Sequence, residues 1–194
     1  MIQQYLDESI APAIRRSDAL EHAIERMLIA KEGPFTMAEY LFVLNQDIKL
    51  REGHVKKMLS FYKDLNDFLA HEATAGSPFL FEDFGAAEAV YTPIFQRFWF
   101  FEYYENFELP ATEEYVRVRA WREACLAHPS AQQVRFDEII KLYYDYAIGY
   151  ENGALQEGRA VSSFAFQPSW EMRLMPPKDK YHHQATDEEL GLVP

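Results

Sequence analysis

The sequence predicts an all-α domain, and three observations carry that prediction. Apolar residues recur at three- and four-residue spacing in successive segments, and Gly and Pro separate these segments. Short polar residues that favour helix starts precede several of them. No clear alternation of apolar and polar residues indicates a strand. We therefore expect about six helices over residues 17–149, with an extended strap and tail over residues 150–194.

Composition limits the classes of function. The chain has 194 residues, of which 48% are hydrophobic, and this length suits one compact domain. Its formal net charge of -12 disfavours nucleic acid and anionic membranes as partners. The only cysteine, Cys125, excludes an internal disulfide and a four-cysteine zinc site. Because no targeting or membrane-spanning segment is visible, the sequence predicts a cytoplasmic protein.

The first half of the chain contains three predicted helices. Ser17 is the expected N-cap of the first, and Gly33-Pro34 is expected to end it. A capping box from Thr36 to Glu39 predicts a second, short helix through Leu44. The first helix has an apolar face of Leu20, Ala23, Ile24, Met27 and Leu28. The third is expected to run from Asp47 to about His71, with Val55, Met58, Leu59, Tyr62, Leu65 and Leu69 buried.

Three further helices follow. The first is central and carries Pro93, where we expect a kink or a break. Thr112 is the expected cap of the next, and a capping box from Ser130 to Gln133 opens the last. After Gly149 the helical periodicity ends. Phe164, Phe166 and Trp170 are candidates to pin the strap, and the tail from Lys178 is polar and expected to be mobile.

Residues 79–133 resemble the C-terminal helical domain of glutathione S-transferases. The segment Asp83-Phe84-Gly85-Ala86-Ala87-Glu88-Ala89, with Pro93 and Arg97, follows the order of a helix start typical of that family. The run into Asn106-Phe107, Trp121 and His128-Pro129-Ser130 also follow the family's order. The cap differs, since Gly85 stands where the family usually has Ser or Thr, and Glu88 where it has Asp. Because Gly offers no side-chain oxygen, we expect a weaker helix start.

The first residues resemble the end of the family's thioredoxin-like N-terminal domain. Ile2-Gln3-Gln4-Tyr5-Leu6-Asp7-Glu8 matches a segment that follows the Glu-Ser or Gln-Ser pair binding glutathione in that family. Residues 1–16 are therefore interpreted as a remnant of the inter-domain helix and linker. The family's groups that activate glutathione would precede residue 1, so the resemblance implies no catalytic residue in this chain. Glutathione would be a co-substrate only if a thioredoxin-like domain completed the protein.

The resemblance implies that the helical domain forms a wall for a hydrophobic co-substrate. Flat aromatic rings and adaptable Met side chains suit such a wall, and the candidates are Met27, Tyr40, Tyr91, Phe95 and Trp99. The alternative interpretation is that these residues are ordinary core. An aromatic cluster surrounds the central helix: Phe95, Phe98, Trp99, Phe100, Phe101, Tyr103, Tyr104 and Phe107. Its cover could be the missing domain, another subunit or the strap.

No metal site is predicted. Asp67 and His71 share a helix face but are only two ligands, and the pair His182-His183 is expected to be solvated. Cys125 is expected to be a small core residue.

Two hypotheses remain. The first is the substrate-side half of a glutathione S-transferase-like enzyme. The second is a stand-alone, non-catalytic module that binds a protein or an apolar ligand. A homodimer or a partner protein is expected in either case.

Overall fold

A computed structural model describes residues 2–10, 12–150 and 154–193, and every element in these ranges is helical. Met1, Ala11, residues 151–153 and Pro194, which belong to the predicted linker and strap, lie outside the described residues. The α-helices are α1 (Ile2–Ser9), α2 (Ala19–Ala30), α3 (Glu32–Val43), α4 (Arg51–Glu72), α5 (Ala86–Arg97), α6 (Trp99–Tyr104), α7 (Val116–Ala127), α8 (Phe136–Leu142) and α9 (Tyr144–Ala147). Short 3-10 turns cover Ile48–Leu50, Glu113–Tyr115, Pro129–Ala131 and Trp170–Met172.

Helix α2 starts one residue later than the predicted cap. Asp18, not Ser17, is the N-cap, and its carboxylate accepts hydrogen bonds from two backbone N–H groups at 2.9 and 3.0 Å. Only part of the predicted apolar face is covered. Leu28 is fully buried, whereas Leu20 and Met27 are mostly exposed.

Helix α3 begins earlier than predicted. It starts at Glu32, so Gly33 and Pro34 lie in its first turn instead of separating two helices. Proline is compatible with that position because the first N–H groups of a helix have no partner within the helix. The hydroxyl of Thr36 donates to the Glu32 carboxylate at 2.7 Å. The predicted capping box from Thr36 to Glu39 is therefore wrong.

Helix α4 follows the prediction closely. Asp47 caps the 3-10 turn that leads into it, accepting from the N–H of Lys49 at 2.9 Å, and the helix ends at Glu72. Asn66, for which the sequence predicts no role, accepts through its amide oxygen from the N–H groups of Arg117 and Val118 at 2.9 and 3.2 Å. The start of α7 is thus bonded to α4, while Thr112, the expected cap, makes no side-chain cap bond.

The central helix is interrupted at a different place from the one predicted. Pro93 lies exposed within α5, and the interruption falls at Phe98, between α5 and α6. Phe98 is buried, and its ring packs on those of Tyr62, Phe101 and Phe107 at 5.4, 5.1 and 5.2 Å. Tertiary packing at Phe98 therefore coincides with the break.

The last predicted helix starts later and is divided. The segment from Ser130 to Gln133 lies in and after a 3-10 turn, and α8 starts only at Phe136. At that start the N–H of Arg135 is bonded to the Glu138 carboxylate at 3.4 Å. A turn at Tyr143 separates α8 from α9.

The tail packs on the helical body, contrary to the expectation of a mobile segment. Ala185, Leu190 and Leu192 are at most 5% exposed and belong to the hydrophobic core. The side chain of Lys180 is fully buried. The tail therefore contributes to the fold although its composition is polar.

Candidate functional site

An apolar cavity of about 410 Å³ lies where α1, the segment after it, α2 and α5 meet. The apolar part of its lining consists of Leu6, Ile10, Pro12, Ile14, Ile29, Ala86, Ala89 and Val90. The polar part consists of Asp7, Glu8, Arg15, His22, Glu25 and Arg26. Small-molecule sites in proteins have volumes of roughly 300–1,000 Å³ and combine apolar walls with a few polar groups. The cavity fits that description.

Asp7 holds the segment that follows α1. One of its oxygens accepts from the N–H of Ile14 at 2.6 Å, and the other accepts from the N–H of Arg15 at 3.3 Å. These bonds turn the chain back towards α1. Ile10 and Ile14 consequently line the cavity while remaining 60% and 46% exposed.

Glu25 of α2 is the buried polar residue of the cavity. It is 1% exposed, and its Oε1 accepts from the N–H of Ala86 at 2.9 Å. The Nδ1 of His22 lies 4.0 Å from Oε2. Burial raises the pKa of Glu25, and hydrogen bonds from backbone N–H groups, including that of Ala86, oppose the shift. Glu25 thus links α2 to the first residue of α5.

Two glutamates accept hydrogen bonds from the backbone N–H groups at the start of α5. Gly85 is the N-cap, and Glu88 accepts from its N–H at 2.9 Å. The other oxygen of Glu88 accepts from the N–H of Leu80 and from Nε1 of Trp121, both at 2.8 Å. Glu25 bonds the next N–H, which belongs to Ala86. An acceptor from α2 therefore compensates for the side-chain oxygen that Gly85 lacks.

The structure places two of the five predicted wall residues in the core. Tyr91 and Phe95 are 0% exposed, and their rings pack on that of Trp121 at 5.1 and 5.3 Å. The hydroxyl of Tyr91 donates to the carbonyl of Leu28 at 3.0 Å. In this arrangement the two rings support the fold and have no surface to offer a ligand.

The other three predicted wall residues have different surroundings. Tyr40 accepts a hydrogen bond from Arg97 at 3.2 Å, and the ring of Trp99 packs on Phe136 at 5.9 Å. Met27 is 57% exposed. None of the five predicted residues lines the apolar cavity.

The residues that do line the cavity carried no distinct signal in the sequence. Glu25 follows an apolar position of α2, and its burial depends on the approach of the residues around Gly85, 60 positions along the chain. Ile14 is positioned by Asp7 across a loop. Hydrophobic periodicity assigns residues to helix faces, but it does not show which distant segments of the chain come into contact.

The aromatic cluster is covered by this chain itself. The ring of Phe100 packs on Tyr143 at 5.0 Å. The hydroxyl of Tyr103 donates to the carbonyl of Pro176, and the amino group of Lys178 lies 5.2 Å from the Tyr103 ring centre. The C-cap of α8 and the strap thus share the cover. Two of the three residues predicted to pin the strap contact the helical body. Phe164 packs on Tyr143 and Tyr146, Trp170 is half-buried beside Lys141, and Phe166 is 91% exposed.

The histidines considered as metal ligands have carboxylate neighbours. His71 lies 2.8 Å from Glu72, whereas Asp67 is paired with Lys63 at 2.8 Å. His182 and His183 lie beside Asp179 and Glu189. Within the part of the chain that the structure describes, no group of three or more His, Cys, Asp or Glu side chains is placed to hold a metal ion.

Over the same residues, no helix has both the length and the apolar character needed to cross a membrane.

Cys125 is expected to be unreactive in the folded protein. It is fully buried on α7, and burial, with the nearby Glu88, raises the pKa of its thiol. Since the thiolate is the reacting form, we expect an aromatic disulfide reagent to modify Cys125 only after unfolding. The measurement is the absorbance of released thiolate with and without urea. Rapid release from the native protein would contradict this placement.

Comparison with known families identifies the central part of the chain. Residues 46–124 match the family described as "Glutathione S-transferase, C-terminal domain". The match includes α4, α5 and α6 and all but the last three residues of α7. A comparison with the curated proteins finds no significant match. Residues 46–124 of the chain are therefore similar to the glutathione S-transferase C-terminal domain.

Proposed function

We propose that this chain is the helical half of a cytoplasmic glutathione S-transferase-like protein and that its apolar cavity contributes to the wall for a hydrophobic co-substrate. Glutathione would be bound and activated by a thioredoxin-like domain, joined upstream or supplied by another chain. The family match over residues 46–124 supports the proposal. The residues predicted for the wall are replaced in this proposal by those that line the cavity.

The observation that carries the proposal is the cavity between α1, α2 and α5. Its mouth presents Ile10 and Ile14 to solvent, and Tyr5 and Leu6 of α1 are also 68% and 45% exposed. Contiguous apolar surface of this kind is stabilised when a ligand or a partner domain removes it from water. A thioredoxin-like half packed beside α1 would cover part of this surface and leave the cavity as a pocket between the two halves.

The residues of this chain would bind and orient the electrophile and keep water from it. The reaction is attack of the glutathione thiolate on an electrophilic carbon, which forms a carbon–sulfur bond and releases the leaving group. The thioredoxin-like half would lower the pKa of that thiol. Ile29, Ala89 and Val90 would contact the apolar part of the electrophile from the helical side.

The test joins this chain to the residues encoded in frame upstream of Met1, where these form a thioredoxin-like domain, or otherwise to such a domain expressed as a separate chain. We expect conjugation of glutathione to a nitro-activated aryl chloride by the joined protein and none by residues 1–194 alone. Val90→Asp puts a charge on the cavity wall and is expected to lower kcat/KM by about tenfold or more, since an unpaired charge disfavours apolar ligands. Val116→Asp, at an exposed position of α7, is the matched control. No turnover and no glutathione affinity in the joined protein would overturn the proposal.

A second candidate function is a non-catalytic association module. It is favoured by apolar side chains exposed on α3 and just before α4: Met37, Leu41, Ile48 and Leu50 are 47–59% exposed. Such residues suit a homodimer or a partner protein. A stop codon just upstream of Met1, together with a stable dimer in sedimentation velocity, would favour this candidate over the enzyme.

A further inference from the structure

Glu39 of α3 carries a carboxyl group in the interior of the bundle. The residue is 3% exposed, and neither of its side-chain oxygens has a hydrogen-bond partner among the described residues. A charged group without partners costs far more to bury than its neutral form. The position therefore favours the protonated carboxyl.

Two other polar groups belong to the same interior region. The hydroxyl of Tyr62, on α4, is fully buried and has no partner in the described ranges. Arg122 of α7 has a buried Nε, likewise without a partner there. Its Nη2 bonds Glu102 at 2.7 Å, and its guanidinium lies 4.9 Å from the Phe98 ring centre. Arg122 is thus engaged by α6 and does not form a hydrogen bond with Glu39.

The charges around Glu39 come from several helices. Arg97 of α5 and Arg122 of α7 favour its ionised form, whereas Glu32 of α3 disfavours it. Burial outweighs the two arginines and raises the pKa of Glu39 to about 8. Tyr62, on α4, interacts electrostatically with Glu39, Arg122 and Glu102.

The C-terminal end of α3 carries a separate ionic group. There Lys180 bonds the carbonyl of Val43 at 2.7 Å and pairs with Glu105 at 2.5 Å. Lys180 is thus engaged by Val43 and Glu105, and it does not pair with Glu39.

We propose that Glu39, with Tyr62 and Arg122 around it, is a proton-binding site inside the bundle, and that release of the proton loosens the packing of α3 against α4 and α5. The ligand is a single proton held on the carboxyl group. At neutral pH the site is occupied, and mildly alkaline conditions empty it.

The proposal predicts a definite sign for the pH dependence of stability. The carboxyl has a higher pKa in the folded protein than its ordinary value of 4.5. Between pH 4.5 and about 8 the folded state binds more protons than the unfolded state. The free energy of unfolding therefore falls as pH rises from about 5 to about 8 and then levels off. Below about pH 4.5 the contribution is fully present, because the carboxyl is protonated in both states.

The test compares urea midpoints across this pH range for the wild type and Glu39→Gln. Glutamine has the same shape as glutamic acid and cannot ionise. We therefore expect the urea midpoint of the variant to fall less than that of the wild type between about pH 5 and about pH 8. Glu123→Gln, at an exposed position of α7, should retain the wild-type fall. Equal pH profiles for the wild type and Glu39→Gln would overturn the proposal.

A second measurement applies if Glu39→Gln does not fold. Carbon-13 NMR of the wild type, labelled at glutamate side chains, should show one carboxyl carbon that titrates with a midpoint near 8. If every glutamate carboxyl titrates below about pH 6, within the ordinary range of the residue, the proton-binding site does not exist.

Discussion

Replacing Gly85 by serine is expected to destabilise the protein by about 1–2 kcal/mol, although serine is a better helix cap than glycine. A Cβ atom at Gly85 would lie 2.7 Å from Oε1 of Glu25 and 2.9 Å from Nη2 of Arg16. To make room, the buried Glu25 must leave the N–H of Ala86, to which it is bonded at 2.9 Å. The loss of that bond outweighs the few tenths of a kcal/mol that a serine cap adds. Urea unfolding measures the difference.

The control is Gly53→Ser. Gly53 lies exposed within α4, and a Cβ there would meet nothing within 4 Å. Serine has the higher helix propensity by a few tenths of a kcal/mol, so this variant is expected to be slightly more stable than the wild type. Equal effects at the two glycines would show that contact with Glu25 does not determine the cost at Gly85.

A double variant tests whether the serine hydroxyl can take the place of Glu25 as the hydrogen-bond acceptor at the start of α5, or whether serine at position 85 only clashes with its neighbours. Glu25→Ala alone leaves the N–H of Ala86 without its acceptor and is expected to cost about 1–3 kcal/mol. In Glu25→Ala/Gly85→Ser, the serine hydroxyl has room and can accept from a first-turn N–H. We therefore expect the double variant to be more stable than the sum of the single effects by about 1 kcal/mol or more. Additive effects would show that the serine hydroxyl does not replace the Glu25 carboxylate as acceptor.

The sequence was sufficient to predict the features that depend on local chemistry. The long helix α4 has a local cap at Asp47 and a regular apolar stripe, so its bounds and its buried residues followed from spacing. The end of the helical periodicity after Gly149 was also predicted from the sequence. Gly149 adopts a φ of 84°, a conformation that glycine accepts more readily than other residues. The start of α3 was predicted wrongly because a Gly-Pro pair usually marks the end of a helix, whereas the first turn of a helix also tolerates it.

The site and the tail were less accessible to sequence reasoning because they depend on contacts between distant residues. Glu25 is buried by the start of α5, and no pattern within α2 distinguishes it from an exposed glutamate. Tyr91 and Phe95 were predicted as wall residues from their type, yet contacts with Trp121 place them in the core. The tail looked mobile because it is polar, but a polar segment is ordered when its charges find buried partners. Lys180 and Asp187 do so, through Glu105 and Arg159.

Lys180 offers the sharpest test of that view of the tail. Its ammonium group, 0% exposed, pairs with the equally buried Glu105 of the α6 C-cap at 2.5 Å. Lys180→Met should cost about 3–5 kcal/mol, since it leaves a buried carboxylate without its closest cation. Arg51, 3.3 Å from the second oxygen of Glu105, and the hydroxyl of Tyr181 remain as partners and place the cost towards the lower end.

Lys178→Met is the matched control two residues away. Lys178 is exposed, and its contact with the Tyr103 ring is expected to contribute about 0.5–1 kcal/mol. The double variant Lys180→Met/Glu105→Met removes both buried charges and is expected to recover much of the stability, because an apolar pair of similar volume often replaces a buried ion pair at little cost. Urea unfolding provides the free energies. If Lys180→Met were no less stable than Lys178→Met, the ion pair would not be what holds the tail, and the apolar contacts of Leu190 and Leu192 would have to suffice.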